Sequence, residues 1–227
     1  MKERLQRVKD RIAAAARACD RDPDSVRLVA VSKTVDADRV ARAIEAGADI
    51  LGENYIQEAR DKFNALYDRP VAWHFIGHLQ SNKAKYAVRM FDLIHSVDSH
   101  KLAKALDKEA RKNEKVQDIL IQVNISQEET KSGIDAAEAV ELITGIGTLE
   151  NVRVKGLMTM PPFFDQPEKA RPYFRQLARL RDRIAGAGIP GVGMEELSMG
   201  MTGDFEVAIA EGATLVRIGT AIFGARQ

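Results

Sequence analysis

The chain has 227 residues, of which 45% are hydrophobic and 30% charged, as in an ordinary soluble globular protein. Lys and Arg total 34 against 33 Asp and Glu, so bulk charge gives no reason to expect binding to nucleic acid or to an anionic membrane. The single cysteine, Cys19, excludes an internal disulfide and a CxxC metal site. No apolar run reaches the roughly 20 residues of a membrane helix, and Ala13–Ala16 is too short for a signal peptide, so we expect a cytoplasmic protein.

The N-terminal segment predicts a helix within residues 1–20. Apolar residues recur there at helical spacing, as Leu5, Val8 and Ile12 show. After this helix, apolar runs typical of buried strands alternate with amphipathic helical segments. We predict strands at Leu28–Ser32, Ile50–Gly52, Ala72–Ile76, Leu93–Val97, Ile119–Asn124, Val154–Met158, Glu196–Ser198 and Leu215–Ile218. We predict the helices between them at Ala37–Glu45, Tyr55–Leu66, Asn82–Met90, Lys101–Lys112, Ala136–Ile143, Tyr173–Ala185 and Asp204–Ala210.

Eight strands joined by helices predict an α/β fold, a single (β/α)₈ TIM barrel over residues 1–227 with the N-terminal helix as an addition. An open, doubly wound sheet is the alternative. It is disfavoured because no G-x-G-x-x-G follows the first strand, and no Walker-type phosphate loop occurs either. The barrel would use almost the whole chain and leave no room for a second catalytic domain.

Polar residues occur at the carboxyl ends of the predicted strands, where the active sites of such barrels gather. They are Lys33, Glu53, Asn54, His74, Ser96, Asn124, Thr159, Ser198 and Arg217. His74 is equally consistent with a hydrogen-bonded core histidine, since Trp73 and Phe75 flank it. None of the four histidines belongs to an H-E-x-x-H motif, so we expect no metal site.

Lys33 follows the first apolar strand, which would hold its stem in the barrel mouth. Desolvation and nearby cations lower the pKa of such an amine and favour the neutral form, which can attack an aldehyde. The alternative is a lysine that extends from a strand end to solvent.

Two glycine-rich segments follow the last two strands, Ser198–Gly203 and Gly219-Thr220. TIM barrels often bind phosphate through these two loops, because glycines let backbone N–H groups approach an anion and hydroxyls add donors. Two glycine turns with capping residues are the alternative. Together with Lys33, the loops favour a phosphorylated aldehyde held as a Schiff base, and pyridoxal phosphate is the obvious candidate. A Schiff-base aldolase for a phosphorylated sugar would need the same groups, with Glu53 as its acid or base.

Several ordered motifs strongly resemble those of the pyridoxal phosphate homeostasis proteins, also called the YggS or PROSC family. The motifs are Ala30–Lys33, Gly52–Tyr55, Phe75–Lys83, Val123–Ile125, Leu197–Met201 and Val216–Gly224. The resemblance extends from about Leu28 to Arg226.

The resemblance implies a barrel like the N-terminal domain of alanine racemase, with pyridoxal 5'-phosphate as an internal aldimine on Lys33. It implies a phosphate site made by Ser198, Gly219 and Thr220 with the backbone of Gly200 and Met201. It further implies that Arg217 faces the pyridine nitrogen and that two more side chains lie around the cofactor, Asn54 and His74.

The resemblance also implies a protein that binds, delivers or buffers the cofactor in vitamin B6 homeostasis, with effects on amino-acid and keto-acid balance and without an established reaction. Delivery would make apo-enzymes that need the cofactor its partners, and a monomer is plausible. A cationic Arg217 beside the pyridine nitrogen disfavours its protonation and weakens the ring as an electron sink. We therefore expect no catalytic residue. The alternative is a slow pyridoxal-phosphate-dependent amino-acid racemase or a related enzyme.

Overall fold

A closed barrel of eight parallel strands forms the centre of the molecule. The computed structural model describes residues 1–126, 128 and 132–224. Their strands are β1 Arg27–Val31, β2 Ile50–Glu53, β3 Ala72–Phe75, β4 Leu93–Val97, β5 Gln117–Asn124, β6 Ile134–Asp135, β7 Val152–Met158, β8 Val192–Met201 and β9 Leu215–Ile218. The order β4-β3-β2-β1-β9-β8-β7-β5 closes through pairing of β4 with β5, and β6 pairs with β5 outside this closed order. The predicted TIM barrel is confirmed.

Helices surround this barrel. Within the described residues they are α1 Lys2–Arg17, α2 Ala37–Glu45, α3 Ile56–Ala65, α4 Ala84–Met90, α5 His100–Lys112, α6 Ala139–Ile146, α7 Arg171–Gly186, α8 Phe205–Ala210 and α9 Thr220–Phe223. Side-chain caps start two of them: Asp36 accepts from Arg39 N (2.8 Å) and Ser99 accepts from Leu102 N (3.4 Å). The N-terminal helix α1 packs against α8 and α9. No helix in the described part of the chain is long and apolar enough to cross a membrane.

Strand alternation separates two apolar layers. Outward-facing strand residues such as Leu51, Trp73 and Phe75 join the helices in one large core. A second, smaller cluster consists of Val29, Ile50, Leu93, Leu120, Met158 and Leu215, one from each of six strands. Because these residues belong to strands all round the barrel, we place the second cluster inside it.

Three differences from the predicted elements have local causes. Strand β8 continues to Met201, past the predicted end at Ser198, because Met201 still pairs with Arg217 of β9. Helix α6 starts at Ala139 rather than Ala136, because Ile134–Asp135 pair with β5 and the Asp135 carboxylate accepts from Ala137 N (2.8 Å). Helix α9 was not predicted, because its four residues are too few to show a periodic pattern.

Candidate functional site

The backbone on both sides of Lys33 is held by side chains of α3. The carbonyl of Ser32 accepts from Lys62 Nζ (2.5 Å), and the N–H of Thr34 donates to the Glu58 carboxylate. Thr34 itself has a φ of 61°, a conformation that non-glycine residues seldom adopt. Lys33 is partly exposed between these two anchors. The segment that presents its side chain is therefore fixed to the outer helix layer.

Lys62 is a buried cation between two carboxylates. Its Nζ lies 2.8 Å from Glu53 Oε1 and 2.7 Å from Glu58 Oε1, and the Ser32 hydroxyl donates to the same Glu53 oxygen at 2.5 Å. Burial raises the pKa of Glu53, and the charge and hydrogen bond of Lys62 oppose that rise. This ion-pair cluster ties the end of β1 to the end of β2.

Lys33 shares a cavity with the turn after β9. The cavity has a volume of about 240 Å³, and its wall includes Lys33, Gly219, Thr220 and Phe223. The two chain segments meet because β1 and β9 are parallel neighbours in register, with Ala30 opposite Ile218. The structure thus brings Lys33 together with the Gly219-Thr220 segment.

The loop after β8 lies beside the same turn. Thr202 Oγ1 is 3.4 Å from Thr220 Oγ1, so two hydroxyls occur together at the carboxyl end of the barrel. Gly200 has a φ of +89°, and a Cβ there would lie 2.6 Å from the Ala208 Cβ, so no other residue fits without displacement. The N–H of Met201 already donates to the Asp204 carboxylate at 2.6 Å.

Arg217 is a buried cation inside the barrel, 4% exposed. Its Nη1 donates to Ser198 Oγ at 2.5 Å and its Nη2 donates to the carbonyl of Thr159 at 2.9 Å. Burial lowers its pKa to about 10, so the guanidinium keeps its charge at neutral pH. Ser198 is fully buried, and its hydroxyl contacts Arg217 rather than the Lys33 cavity.

Two histidines continue from Ser198 into the barrel. His95 Nδ1 lies 2.8 Å from Ser198 Oγ, and His95 Nε2 lies 3.0 Å from His74 Nδ1. Burial lowers the pKa of His74 to about 3, with a smaller contribution from the charge of Arg27, and it holds the pKa of His95 well below the usual value. Both imidazoles are therefore neutral at pH 7. The structure does not bring His74 to Lys33.

Asn54 follows β2 and lines a different cavity at the rim of the barrel. This cavity, of about 620 Å³, lies between α3 and the segment before α4, and Tyr55, Arg60, His78 and Lys83 contribute to its wall. Asn54 Oδ1 is buried and has no hydrogen-bond partner within the described residues. Asn54 is thus next to the end of β2 but outside the Lys33 cavity.

The residues present fit a phosphorylated aldehyde. An amine, a pair of hydroxyls beside a glycine turn and a buried cation lie at or near the carboxyl ends of β1, β8 and β9. The sequence patterns predict no role for His95 or Lys62, and they place Thr202 in the predicted phosphate loop without identifying its hydroxyl as a donor. Alternation from Leu93 could have placed His95 inside the barrel, because residues two apart on a strand face the same side.

The fold class is that of the alanine racemase N-terminal domain. The family model with that description matches residues 4–227. An alanine racemase of Clostridium difficile 630 has the same fold, with a TM-score of 0.73 at 16% identity over 99% of this chain and 57% of that chain. The likeness to alanine racemase is therefore one of fold.

Relatives at higher identity define a narrower family. The pyridoxal phosphate homeostasis protein of Aquifex aeolicus (strain VF5) is 47% identical over 225 residues, which are 99% of this chain and 98% of the relative. PipY of Synechococcus elongatus, solved with pyridoxal phosphate bound, has a TM-score of 0.83 at 36% identity over 96% of this chain and 100% of that chain. The chain belongs to the pyridoxal phosphate homeostasis protein family, which confirms the resemblance of the motifs.

Proposed function

We propose that this protein binds pyridoxal 5'-phosphate at the carboxyl end of its barrel and acts in intracellular vitamin B6 homeostasis. The observation that carries the proposal is that Lys33 and the Gly219-Thr220 turn line one cavity. An amine for the aldehyde and donors for the phosphate are thereby within reach of one small molecule. The bound cofactor in PipY, a relative at 36% identity, supports the same choice of ligand.

Lys33 is the residue proposed to hold the cofactor covalently. Lys33 would hold the cofactor through its Nζ, which in the neutral form would add to the aldehyde carbon and, with loss of one water, would form a Schiff base. The Ser32 and Thr34 anchors support this role, because they fix the backbone from which the amine extends. The reaction is reversed by water, as a carrier that releases its cargo requires.

The phosphate is proposed to lie at the Gly219-Thr220 turn and the β8 loop. Thr220 and Thr202 offer hydroxyl donors, and the backbone of Gly200, where β8 packs closely against α8, is proposed to contribute as well. The Met201 N–H is engaged by Asp204, so a contact from that group would require it to exchange partners. Asn54 follows β2, the neighbour of β1, and is also proposed to contact the cofactor, although in this structure it lines the separate rim cavity.

Arg217 is proposed to face the pyridine nitrogen, with Ser198 and His74 beneath it. A guanidinium that stays charged at neutral pH disfavours a second positive charge on the ring, so the ring remains a weak electron sink. This electrostatic arrangement suits retention of the cofactor better than carbanion chemistry. We therefore propose a carrier without a dedicated catalytic residue, active as one monomeric unit in the cytoplasm. It would supply apo-enzymes and thereby influence amino-acid and keto-acid balance.

The experiment is to load the apoprotein with pyridoxal phosphate and to compare wild type with Lys33→Ala and Lys83→Ala. Wild type and Lys83→Ala should show visible absorbance that borohydride removes, and Lys33→Ala should show none. Lys83 is the matched control because it is an exposed lysine at the rim cavity beside Asn54. Unchanged absorbance in Lys33→Ala, or turnover of a phosphorylated sugar by wild type without cofactor, would overturn the proposal.

A further inference from the structure

Four polar side chains inside the barrel form a continuous hydrogen-bonded series, which we call the interior network. Arg217, Ser198, His95 and His74 are each at most 4% exposed, and successive members lie 2.5, 2.8 and 3.0 Å apart. The interior of a barrel of this size is ordinarily filled by branched apolar side chains. Buried polar groups are costly unless each finds a partner, so the presence of four in the interior network requires a physical explanation.

The donor and acceptor groups fix the direction of the hydrogen bonds in the interior network. A guanidinium can only donate, so Ser198 Oγ accepts from Arg217 Nη1 and its own proton goes to the other neighbour, His95 Nδ1. His95 must then carry its proton on Nε2 and donate it to His74 Nδ1. The opposite direction would leave the Ser198 hydroxyl proton without an acceptor among its partners in the described residues.

The same direction requires both imidazoles to be neutral. A protonated His95 would have no lone pair for the Ser198 hydroxyl and would lie close to the Arg217 charge. Burial and the charges of Arg217 and Arg27 oppose that protonation. At the far end, His74 reaches a cavity of about 610 Å³ between α1 and the starts of β1 and β2. The interior network thus extends from beneath the proposed cofactor site to the amino end of the barrel.

We propose that His95 is a positioning residue for Arg217, that it acts by fixing the Ser198 hydroxyl as an acceptor, and that His74 supplies the acceptor for the remaining His95 proton. The inference rests on the proposed function only in that Arg217 faces the cofactor ring. Without His95, the Ser198 hydroxyl is free to rotate, and among the hydrogen bonds of the described residues the one to the Thr159 carbonyl is left to fix the guanidinium. The orientation of Arg217 against the ring would then be lost.

The first test needs no cofactor. At neutral pH, ¹⁵N NMR of the histidine-labelled apoprotein should show both His95 and His74 as neutral Nε2–H tautomers. An Nδ1–H tautomer or an imidazolium at His95 would overturn the proposal whatever the protein binds. This result is independent of whether pyridoxal phosphate is the ligand.

The second test uses ¹⁵N-labelled pyridoxal phosphate with the variants His95→Leu and His95→Asn. His95→Leu removes the acceptor for Ser198, whereas the Asn amide oxygen can replace Nδ1. His95→Leu should move the ring-nitrogen shift and weaken retention about tenfold, the loss of one ordinary hydrogen bond. His95→Asn should restore most of both. The proposal fails if His95→Leu matches wild type, or if both variants change the shift equally. If neither wild type nor the variants bind the cofactor, the proposed function fails. The tautomer measurement still decides the direction of the hydrogen bonds in the interior network.

Discussion

Lys33 and Arg217 lie near the carboxyl ends of neighbouring strands, β1 and β9, but their surroundings differ. Lys33 is partly exposed and lines a cavity, whereas Arg217 is 4% exposed and donates to Ser198 and to the Thr159 carbonyl. In the first case the protein fixes the backbone of a residue whose side chain lines a cavity. In the second case it fixes the charged group itself. We infer different roles for the two residues. Lys33 supplies a reactive amine at the open end of the barrel, and Arg217 supplies a fixed positive charge beneath it.

The largest expected effect comes from the cluster that anchors the Lys33 segment. Lys62→Met should destabilise the protein by about 3–5 kcal/mol, because it leaves the buried Glu53 carboxylate without its cation. Urea unfolding at pH 7 measures this. The double variant Lys62→Met/Glu53→Gln should recover part of the loss, and Lys83→Met, an exposed control, should stay near wild type. A Lys62→Met protein as stable as wild type would remove the claim that the Lys33 backbone is held from α3.

The open end can be tested at the hydroxyl pair. Thr220→Val should weaken retention of pyridoxal phosphate tenfold to over a hundredfold, since a hydrogen bond to a charged group contributes about 1.5–3 kcal/mol. Covalent attachment at Lys33 should persist, and Thr202→Val should act in the same direction. Equilibrium dialysis gives the dissociation constants, with the exposed Thr144→Val of α6 as a control. Values within twofold of wild type for Thr220→Val would place the phosphate elsewhere.

Burial of His74 should make the stability of the folded protein fall as the pH is lowered. The pKa of His74 is lowered from 6.5 to about 3, so the unfolded chain takes up a proton first as pH falls, and stability is lost through that window. Between pH 7 and pH 5 this one group should account for about 2 kcal/mol of lost stability. Unfolding free energies at both pH values in wild type and His74→Phe isolate its share. Equal pH slopes in the two proteins would show that His74 is not held neutral by the fold.

The smallest expected effect concerns the electrostatic role of Arg217. Arg217→Glu should let the pyridine nitrogen take a proton and strengthen the ring as an electron sink. Exchange of the α-proton of an added amino acid with deuterium should then rise about tenfold, equivalent to about 1.4 kcal/mol in the barrier. Proton NMR measures the rates, which are compared at equal cofactor occupancy. Fast exchange in wild type that the variant loses would instead favour the racemase-like alternative.

Much of the barrel could be predicted from the sequence because buried parallel strands form continuous apolar runs, and helices show a separate period. The strand containing Leu215 and Val216 and the helix that starts at Ala37 were found where the patterns placed them. Helix α9 and strand β6 were missed because four and two residues carry no period. The start of α6 depended on one carboxylate, that of Asp135, which sequence periodicity does not register.

The site was less predictable than the fold because depth inside a barrel is not written in the local sequence. Lys33, Gly219 and Thr220 meet as expected, since neighbouring strands carry them to one edge. Ser198 and His74 are on the expected strands but lie deeper, where they contact Arg217 and His95 respectively. Which side chains form layers in the interior depends on the stagger of the strands, and that stagger follows from closure of the whole sheet.

The proposed function depends most on covalent capture of the cofactor at Lys33. The direct measurement is the peptide-mapped mass of the protein after it has been loaded with pyridoxal phosphate and reduced with borohydride. We expect one added phosphopyridoxyl group per chain, located on Lys33. A label on another lysine such as Lys83, or an unlabelled chain that still retains the cofactor, would contradict it.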